Sequence, residues 1–403
     1  MKIFIVSSNL FKGGAEHVGV MLANGFAGNG HSVYLLSDTN LPVTYVIGDK
    51  VHVKGVFPRT TNKLEKWMRS VGYIRREVKE IRPDVVIGIA ETCSLVSKLA
   101  CVGMNFHVIY TAHNSFERPE TAPMGRWNKI AKFRFGRFYS RVTVLTYADK
   151  VFIGKRLKKV FVMPNPLGLQ PVNDIPQKQN LIFSVGRLDG WHVKGFDVLI
   201  KSFAKLLNGS KVAEPRSKFK SNDIAFKIKE EGWKLQIAGT GSEESLNYLK
   251  QLCRENGVED FVEFLGFRKD VEKLYQEASI YVLSSRYEGF GLVLVEAMSQ
   301  GCACVACDYK GRQREIIAPL EKREQGSKFN VQSSNRKFEV CDNGILCEPD
   351  NVDALADAMV KMIMDEGYRE CVRKNAIERS KYYSIDNIID RWESLLKQVT
   401  KTC

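Results

Sequence analysis

The chain has 403 residues, 44% of them hydrophobic, so it can bury two full cores, and its length favours two or three domains. Its net charge of +14 suggests an anionic partner such as phosphate, nucleic acid or a lipid surface. No window reaches the roughly 18 apolar residues of a membrane span, and the N-terminal apolar run is too short for a signal peptide. Ten cysteines are too sparse for a small secreted disulfide framework, so we expect a cytoplasmic protein.

The first half of the chain alternates apolar, β-prone runs with helical patterns, which is typical of a mainly parallel sheet covered by helices. The predicted strands are Lys2–Ser8, Ser32–Ser37, Val51–Val56, Val85–Ile89, Val108–Ala112, Val142–Thr146 and Val160–Pro164. The proline- and asparagine-rich segment Pro164–Asn180 then breaks the pattern and predicts a linker.

Two polar features follow strands of this first half. Gly13 and Gly14 come after the first strand and before a helix, which suits close approach of backbone N–H groups to phosphate. The alternative is a tight strand-to-helix turn. His113 ends a later strand and would lie at the same edge of the sheet, although a buried structural histidine is the other interpretation.

A basic stretch, Arg126–Lys159, holds eleven Lys or Arg residues and one acid, Asp149. Within Arg126–Arg141 the bases alternate with aromatic residues, beginning at Trp127. This pattern predicts a basic amphipathic helix that can lie on an anionic membrane. The alternative is a solvated helix whose aromatic side chains pack on their own domain. The segment Arg59–Arg82 also carries acids and predicts an ordinary exposed helix.

The second half repeats the alternation of strands and helices and so predicts a second doubly wound domain. Its predicted strands are Leu181–Gly186, Lys234–Gly239, Phe261–Gly266, Ile280–Ser285, Ala303–Asp308 and Gly344–Cys347, and its last helices are Val352–Glu366, Tyr368–Lys381 and Ile385–Val399. The polar stretches Asn208–Gly232 and Pro319–Asn343 are predicted to be surface additions. Because ligands bind beyond the carboxyl ends of such strands, we expect the site in a cleft between the domains.

Several strand ends of the second half carry polar or glycine-rich loops. Arg187 and Lys194 offer a planar fork and a mobile point charge, which suit a diphosphate. Both could instead be surface cations. The loops Ala238–Gly241 and Gly266–Asp270 could close around a base and ribose, or simply join strands to helices.

The segment Ser284–Gly301 places two carboxylates eight positions apart. Glu288 lies in a predicted loop and Glu296 in the predicted helix Leu292–Ser299. Backbone N–H groups around Phe290–Leu292 fall in the first turn of that helix, where they can hold anionic oxygens. Two carboxylates beside an anion site can bind a molecule with both phosphate and hydroxyl groups, such as a sugar nucleotide.

Other chemistries find less support in the sequence. Cys302, Cys304 and Cys307 have no matching cluster elsewhere, so buried packing is favoured over metal binding. Sequence motifs for a P-loop, a zinc-protease helix, a nucleophile elbow and paired aspartates are missing. Charge stabilisation without a metal, by Arg187, Lys194 and helix N-termini, fits better.

A series of short motifs runs along nearly the whole chain. It comprises GGAE at Gly13–Glu16, TAHN around His113, VMPNP at Val162–Pro166, VGRL to KG over Val185–Gly195, AGTG, LGF, and EGFGLVLVEAMSQG with its two spaced glutamates. In this order the motifs resemble the retaining glycosyltransferases of family 4, whose architecture is GT-B. The resemblance is in particular to bacterial enzymes that extend polyprenyl-diphosphate-linked or capsular oligosaccharides.

The resemblance implies two Rossmann-like domains that face each other across a cleft. Residues 1–172 would form the acceptor-side domain, with the last helix, about 385–403, packing back on it, and residues 173–384 would bind the nucleotide sugar. Arg187 and Lys194 would bind the diphosphate, Glu296 the ribose hydroxyls and Glu288 the transferred sugar, with His113 near its reacting face. The remaining donor-binding residues would be Gly13, Gly14, Gly239, Arg268, Phe290, Gly291 and Leu292.

The function implied is transfer of a hexosyl or N-acetylhexosaminyl unit, with retention of configuration, from a nucleotide diphosphate sugar that we interpret as UDP-linked. No cofactor and no metal are expected. The acceptor would be a glycan or lipid-linked glycan at the inner face of the cell membrane, contacted peripherally through Arg126–Arg141, and no nucleic acid would be bound. Two alternatives stay open: a sugar-nucleotide epimerase of the same architecture, and a basic nucleic-acid-binding protein.

Overall fold

A computed structural model describes residues 1–11, 13–119, 123–209, 221–318 and 338–401. The chain divides into two compact units. The first unit comprises Met1–Gly168 and Tyr383–Cys403, and the second comprises Leu169–Tyr382. The first of these bounds falls a few residues before the domain boundary that the sequence predicts at residue 172.

The described residues of the first unit form a seven-stranded parallel sheet with the order β3-β2-β1-β4-β5-β6-β7. The strands are β1 Lys2–Val6, β2 Ser32–Ser37, β3 Val51–Gly55, β4 Val85–Ile89, β5 His107–Thr111, β6 Arg141–Val144 and β7 Val160–Val162. The strand order reverses between β1 and β4. The loops after these two strands therefore diverge, which is where open α/β sheets bind ligands.

Helices cover both faces of the first sheet. They are α1 Gly14–Gly28, α2 Lys63–Ile81, α3 Ala90–Ala100, α4 Arg126–Phe133, α5 Tyr147–Ile153 and, from the end of the chain, α15 Ile385–Thr400. Apolar residues of α1 and α15 share one core, in which Phe26 and Trp392 meet edge to face. Apolar residues of α2, α3 and α5 form the core on the other face. The last helix is thus part of the first unit.

The described residues of the second unit form another seven-stranded sheet, with the order β10-β9-β8-β11-β12-β14-β13. The strands are β8 Gln179–Val185, β9 Lys234–Ala238, β10 Val262–Gly266, β11 Ala278–Leu283, β12 Ala303–Cys307, β13 Phe338–Cys341 and β14 Gly344–Cys347. All neighbouring strands are parallel except β13 and β14. Here the order reverses between β8 and β11.

The helices of the second unit also lie on both faces of its sheet. They are α6 Trp191–Lys194, α7 Phe196–Leu207, α8 Ser221–Glu230, α9 Glu243–Glu255, α10 Val271–Glu277, α11 Leu292–Ser299, α12 Arg314–Ile317, α13 Val352–Met364 and α14 Glu366–Lys381. Apolar residues of α7, α8, α9 and α13 share one core with the sheet. The prediction of two parallel α/β domains is confirmed.

Two stretches predicted to be surface additions contribute to this unit wherever they are described. Within 208–232, α8 buries Ile224 and Ile228 in the core. Within 319–343, β13 pairs with β14 as an antiparallel edge strand. The prediction is wrong for these parts, because the few apolar positions lie among Lys and Glu residues and give little periodic signal. Residues 210–220 and 319–337 lie outside the described part of the chain.

The prediction of one basic amphipathic helix over Arg126–Arg141 is wrong in the length of the helix. Helix α4 ends at Phe133, a 3-10 helix spans Phe135–Phe138, and β6 begins at Arg141. The break lies beside Gly136, where an added Cβ would be 3.0 Å from a methyl group of Leu157. The chain therefore leaves the α-helical path and packs tightly against Leu157 in the core.

The side chains of this basic segment divide between the core and the surface. Lys132 is only 3% exposed, because it pairs with Glu91 and lies over the ring of Phe116. Phe135 and Phe138 are 44% and 64% exposed. The side chain of Trp127 lies outside the described part. Across the described ranges, no helix is both long and apolar enough to cross a bilayer.

Candidate functional site

In the second unit, the strand ends at the reversal of the sheet order carry a lysine and a glutamate that meet. Lys194 follows β8 and Glu288 follows β11, and the Nζ atom of Lys194 lies 2.5 Å from Oε1 of Glu288. The hydroxyl of Ser285 donates a second hydrogen bond to the same oxygen, at 2.9 Å. The two charged side chains are 27% and 15% exposed, so this ion pair is accessible at the edge of the sheet.

Glycines allow the chain to pack closely around Lys194. A Cβ atom at Gly186 would lie 3.2 Å from Cγ of Lys194, so the missing side chain leaves room for the lysine stem. A Cβ at Gly239 would overlap the carbonyl oxygen of Gly186, and the backbone of Gly239 has a φ of 145°. The N–H of Gly239 donates to the carbonyl of Gly266. The predicted site residue Gly239 thus forms part of the backbone beside the lysine.

The predicted loop-to-helix junction after β11 is confirmed, since α11 begins at Leu292. Its N-cap, Gly291, has a φ of 92°, a left-handed conformation that glycine adopts without strain. Phe290 is buried, and its carbonyl accepts a hydrogen bond from the side-chain amide of Gln313. Phe290, Gly291 and Leu292 are therefore held in place at the start of α11, after Glu288.

Glu296 lies one turn into α11 in a different environment. Its Oε2 atom accepts a hydrogen bond from the hydroxyl of Tyr275, at 3.2 Å. Burial of the carboxyl group raises the pKa of Glu296 to about 7, although the bond from Tyr275 lowers it. Near neutral pH the charge of Glu296 is consequently sensitive to small changes around it.

The two predicted arginines of this unit have surroundings of their own. Arg187 is exposed immediately after β8. Arg268 binds Asp270 through two hydrogen bonds of 2.7 and 2.6 Å, and these bonds lower the pKa of Asp270 to about 2. The structure thus brings Lys194 and Glu288 together, and gives Arg268 a carboxylate partner of its own.

In the first unit, the loop after β1 contains the predicted pair Gly13 and Gly14. Gly13 caps α1 with a φ of 108°, and a Cβ there would overlap the carboxylate of Glu16. The carbonyl of Gly13 accepts a hydrogen bond from the hydroxyl of Tyr45, and Ser8 donates to Glu16. Gly13 thus packs closely against a carboxylate, whereas a Cβ at Gly14 would meet open space.

His113 follows β5 in the same unit and is held through both ring nitrogens. Its Nε2 lies 3.0 Å from the hydroxyl oxygen of Thr111, and its Nδ1 lies 3.2 Å from Oδ1 of Asn165. Burial lowers the pKa of His113 to about 4. The imidazole is therefore neutral at physiological pH and can form hydrogen bonds without adding a charge.

An ion pair that the sequence analysis missed lies near His113. Lys132 Nζ is 2.8 Å from Oε1 of Glu91, the second residue of α3. Ala90, just before it, has a φ of 62°, which is strained for a residue with a side chain. Glu91 lies on α3 and Lys132 on α4, so no local sequence pattern could have revealed the pair. Tyr275, the hydrogen-bond donor to Glu296, was missed for the same reason.

In the residues that the structure describes, no group of three or more His, Cys, Asp or Glu side chains could hold a metal ion. Cys302, Cys304 and Cys307 are buried around β12, and burial raises the pKa of each thiol. Metal-independent chemistry stays a prediction.

Comparison with known families identifies the family of the chain. The family described as "Glycosyl transferases group 1" matches residues 169–379, which is more than half of the chain. The chain belongs to this family. The family described as "Glycosyltransferase Family 4" matches residues 12–170, so the two matches cover both units. The protein is thus a transferase, and the epimerase and nucleic-acid-binding alternatives gain no support from these matches.

Individual relatives match this glycosyltransferase over almost its whole length. An alpha-1,4-N-acetyl-D-galactosaminyltransferase of Campylobacter jejuni is 25% identical to this chain over 99% of each chain. The full name of that enzyme includes a GalNAc oligosaccharide linked to diNAcBac-PP-undecaprenol. Among solved structures, sucrose-phosphate synthase from Thermosynechococcus elongatus covers all of both chains with a TM-score of 0.77 and 18% identity. Anabaena HepE in complex with UDP has a TM-score of 0.71 and 18% identity, covering 99% of this chain and 100% of its own. At these identities the structures show the fold, and the GT-B prediction is confirmed.

Proposed function

We propose that this glycosyltransferase moves a hexosyl or N-acetylhexosaminyl unit from a UDP-sugar to a glycan hydroxyl, with retention of configuration, in the assembly of a surface polysaccharide or lipid-linked oligosaccharide. The observation that carries the proposal is the pairing of Lys194 with Glu288, followed one helical junction later by Glu296. The cation and the helix start suit the diphosphate of one donor, while Glu288 suits its sugar and Glu296 suits its ribose.

Each group has a role in binding the donor. Lys194 and Arg187 bind the diphosphate, and the backbone N–H groups at Gly14 and Gly291 add donors to its oxygens. The carboxylate of Glu296 accepts the ribose hydroxyls. Gly13, Gly239, Arg268, Phe290 and Leu292 complete the donor site.

Glu288 orients the transferred sugar, and donor binding must therefore displace part of its contact with Lys194. The lysine ammonium exchanges a carboxylate for a phosphate oxygen, so its charge stays compensated throughout. The carboxylate of Glu288 then accepts hydrogen bonds from sugar hydroxyls. Ser285, which donates to the same carboxylate, limits how far Glu288 can move.

The chemical step breaks the bond between the anomeric carbon and the diphosphate oxygen. The acceptor oxygen forms its new bond on the same face of the sugar through an oxocarbenium-like state, and its proton passes to the departing diphosphate. Lys194 and Arg187 stabilise the growing negative charge. His113 acts in its neutral form near the reacting sugar, because its pKa is about 4. No protein nucleophile and no metal are required.

Two observations support a lipid-linked glycan as the acceptor: the name of a relative and an exposed segment of the first unit. The Campylobacter enzyme is named for a lipid-linked oligosaccharide. In this chain, exposed Phe135 and Phe138 lie beside exposed Arg134 and Arg137, which combines apolar and cationic groups on one surface segment. Such a segment suits peripheral binding to an anionic membrane at the cytoplasmic face.

A thermal-shift screen of UDP-, GDP- and ADP-sugars tests the donor. A UDP-sugar at a hundredfold excess over its Kd should stabilise the protein by about 2.7 kcal/mol, whereas the others should not. NMR of the glycosylated product should show the anomeric configuration of the donor, and turnover should persist in EDTA. Stabilisation by GDP- or ADP-sugars alone, or an inverted product, would contradict the proposal.

Liposome flotation tests the membrane segment separately. Wild-type protein should float with vesicles that contain anionic phosphatidylglycerol at low salt, and floating should decrease at high salt. Combined Phe135→Ser and Phe138→Ser substitution should reduce floating. The matched control is Val43→Ser with Val46→Ser, which removes two other exposed apolar side chains of the first unit. Equal floating of both variants would contradict the assignment of the segment.

A further inference from the structure

Three consecutive carbonyl groups of the turn that carries Lys194 accept hydrogen bonds from the segment Ser284–Arg286. The carbonyl of His192 accepts from Nη1 of Arg286 at 2.6 Å. The carbonyl of Val193 accepts from the backbone N–H of Arg286 at 2.9 Å. The carbonyl of Lys194 accepts from the hydroxyl of Ser284 at 2.8 Å. One short segment after β11 thus binds the last three residues of α6 through their carbonyls.

The guanidinium of Arg286 is itself anchored on two further elements. Its Nη1 and Nη2 atoms donate to both carboxylate oxygens of Asp197, at 2.7 and 2.8 Å. Its Nε donates to Asp350 at 2.8 Å. Asp197 lies in the first turn of α7, directly after the lysine turn, and is 11% exposed. Arg286 therefore links the end of β11, the lysine turn, α7 and Asp350, which lies two residues before α13.

Gly195 makes this close approach possible. It has a φ of 66° and ends α6, and a Cβ at this position would overlap the carbonyl oxygen of Ser284. Its N–H donates back to His192, and its carbonyl accepts from Leu199 at the start of α7. The turn can thus lie directly against the segment Ser284–Arg286 only because residue 195 lacks a side chain.

The same segment leads to Glu288 two residues later. The backbone of Lys194 is therefore fixed to the strand end that presents its carboxylate partner, and the distance between the ammonium and Glu288 depends on these contacts. We infer that Arg286 is a positioning residue: it holds the turn so that Lys194 reaches the donor diphosphate. This inference rests on the role of Lys194 in the proposed function.

The chemistry of the contacts requires arginine. One side chain donates to two oxygens of Asp197, to a carbonyl and to Asp350 at the same time, which needs a planar group with donors on several sides. A lysine at position 286 has three donors on a single nitrogen and cannot span these acceptors. Arg286→Lys should accordingly lose most of the positioning while keeping the positive charge.

A double-mutant cycle on the binding of a nucleoside diphosphate tests the inference at about pH 8. UDP, GDP and ADP are first titrated by calorimetry, and the nucleotide that binds the wild-type protein most tightly is used. Arg286→Ala should weaken its binding about tenfold, whereas in the Lys194→Ala background the same change should cost less than about twofold. Ser284→Ala, a milder change, should weaken binding about threefold and should also lose its effect without Lys194.

Arg369→Ala is the matched control. Arg369 is another buried arginine of this unit, and it donates to the carbonyls of Met362 and Ile363 and pairs with Glu366. This variant should show a similar loss of thermal stability with unchanged nucleotide binding. An equal loss of binding in Arg369→Ala would show that general destabilisation explains Arg286→Ala.

The remaining outcomes separate the inference from the proposed function. Additive losses in the cycle, or normal binding by Arg286→Ala and Ser284→Ala, would overturn positioning while leaving the role of Lys194 intact. Normal binding by Lys194→Ala, or no binding of any of the three nucleotides by the wild-type protein, would overturn the proposed donor site and the inference with it. If Arg286→Ala does not fold, Arg286→Lys and Ser284→Ala decide the question in the same cycle.

Discussion

The two ends of the segment from Glu288 to Glu296 lie in different electrostatic environments. At the loop end, Glu288 meets the ammonium of Lys194 at 2.5 Å. At the helix end, Glu296 meets the neutral hydroxyl of Tyr275, and burial raises its pKa to about 7. One carboxylate thus has a counter-ion in place, whereas the charge of the other depends on pH and on what binds beside it. The two glutamates should therefore respond differently to substitution, and the charge of Glu296 should follow the pH near neutrality.

The largest effect is expected at the loop end. Lys194→Ala should lower turnover by about 100- to 1000-fold or abolish it, because the growing charge of the diphosphate loses its nearest cation. Steady-state kinetics with the donor found in the thermal-shift screen measure this loss. Lys201→Ala, an exposed lysine on α7, is the control and should keep normal activity. Near-normal turnover of Lys194→Ala with an intact fold would remove the lysine from the mechanism.

At the helix end, Glu296→Ala should also abolish turnover, mainly because the variant binds the donor more weakly. Loss of hydrogen bonds to a charged acceptor should raise the Kd for the UDP-sugar by about 10- to 100-fold above pH 8. Calorimetric titration measures this change, and thermal unfolding checks the fold. Unchanged affinity in Glu296→Ala would show that the ribose binds elsewhere.

The pH dependence separates the two ends more sharply. Because the ionised form of Glu296 is the better acceptor, wild-type affinity should fall as the pH drops through about 7. Glu296→Gln should bind weakly at all pH values, since glutamine resembles the protonated acid. The ratio of the two Kd values, measured between about pH 5 and 9, cancels any titration of the ligand. A constant ratio would contradict a carboxylate that changes charge near neutrality.

Tyr275→Phe provides a smaller change at the same place. Without its hydrogen bond the pKa of Glu296 should rise further, so the midpoint of donor binding should move to higher pH, and affinity at neutral pH should fall about threefold. Tyr368→Phe is the control, because its hydroxyl donates to the carbonyls of Cys341 and Gly344 at the β13–β14 edge. A midpoint shift in the control, or none in Tyr275→Phe, would remove Tyr275 from the titration of Glu296.

The sequence was enough to predict the parallel sheets and the junction at Glu288. Strands such as Lys2–Val6 are continuous apolar runs, and α11 begins where Gly291 allows a left-handed turn. These features depend on neighbours along the chain. The pairing of Lys194 with Glu288 joins positions 94 residues apart. Its geometry depends on how two strand ends pack.

The errors in prediction arose where local pattern and packing disagree. Lys132 belongs to a strongly basic run, yet its ammonium is buried against Glu91. Helix α8 has few apolar positions, yet Ile224 and Ile228 complete the core. In both cases the partner lies far away in the sequence, and it outweighs the solvation that composition favours. Periodicity could not show these contacts.

The smallest effect is expected at Arg268. Like Lys194, this predicted site residue forms an ion pair with a carboxylate, in its case that of Asp270. Both members of the pair with Asp270 are solvent-exposed, at 36% and 46%, whereas Lys194 and Glu288 are mostly buried. Exposed charges interact weakly with a ligand and are screened by salt. Arg268→Ala should therefore weaken donor binding by about threefold at low salt and leave it unchanged at high salt, as measured by titration at both ionic strengths. A tenfold loss that persists at high salt would contradict a weak, solvent-screened contact. It would show that Arg268 contributes to donor binding through a desolvated contact, as Lys194 does in the proposed site.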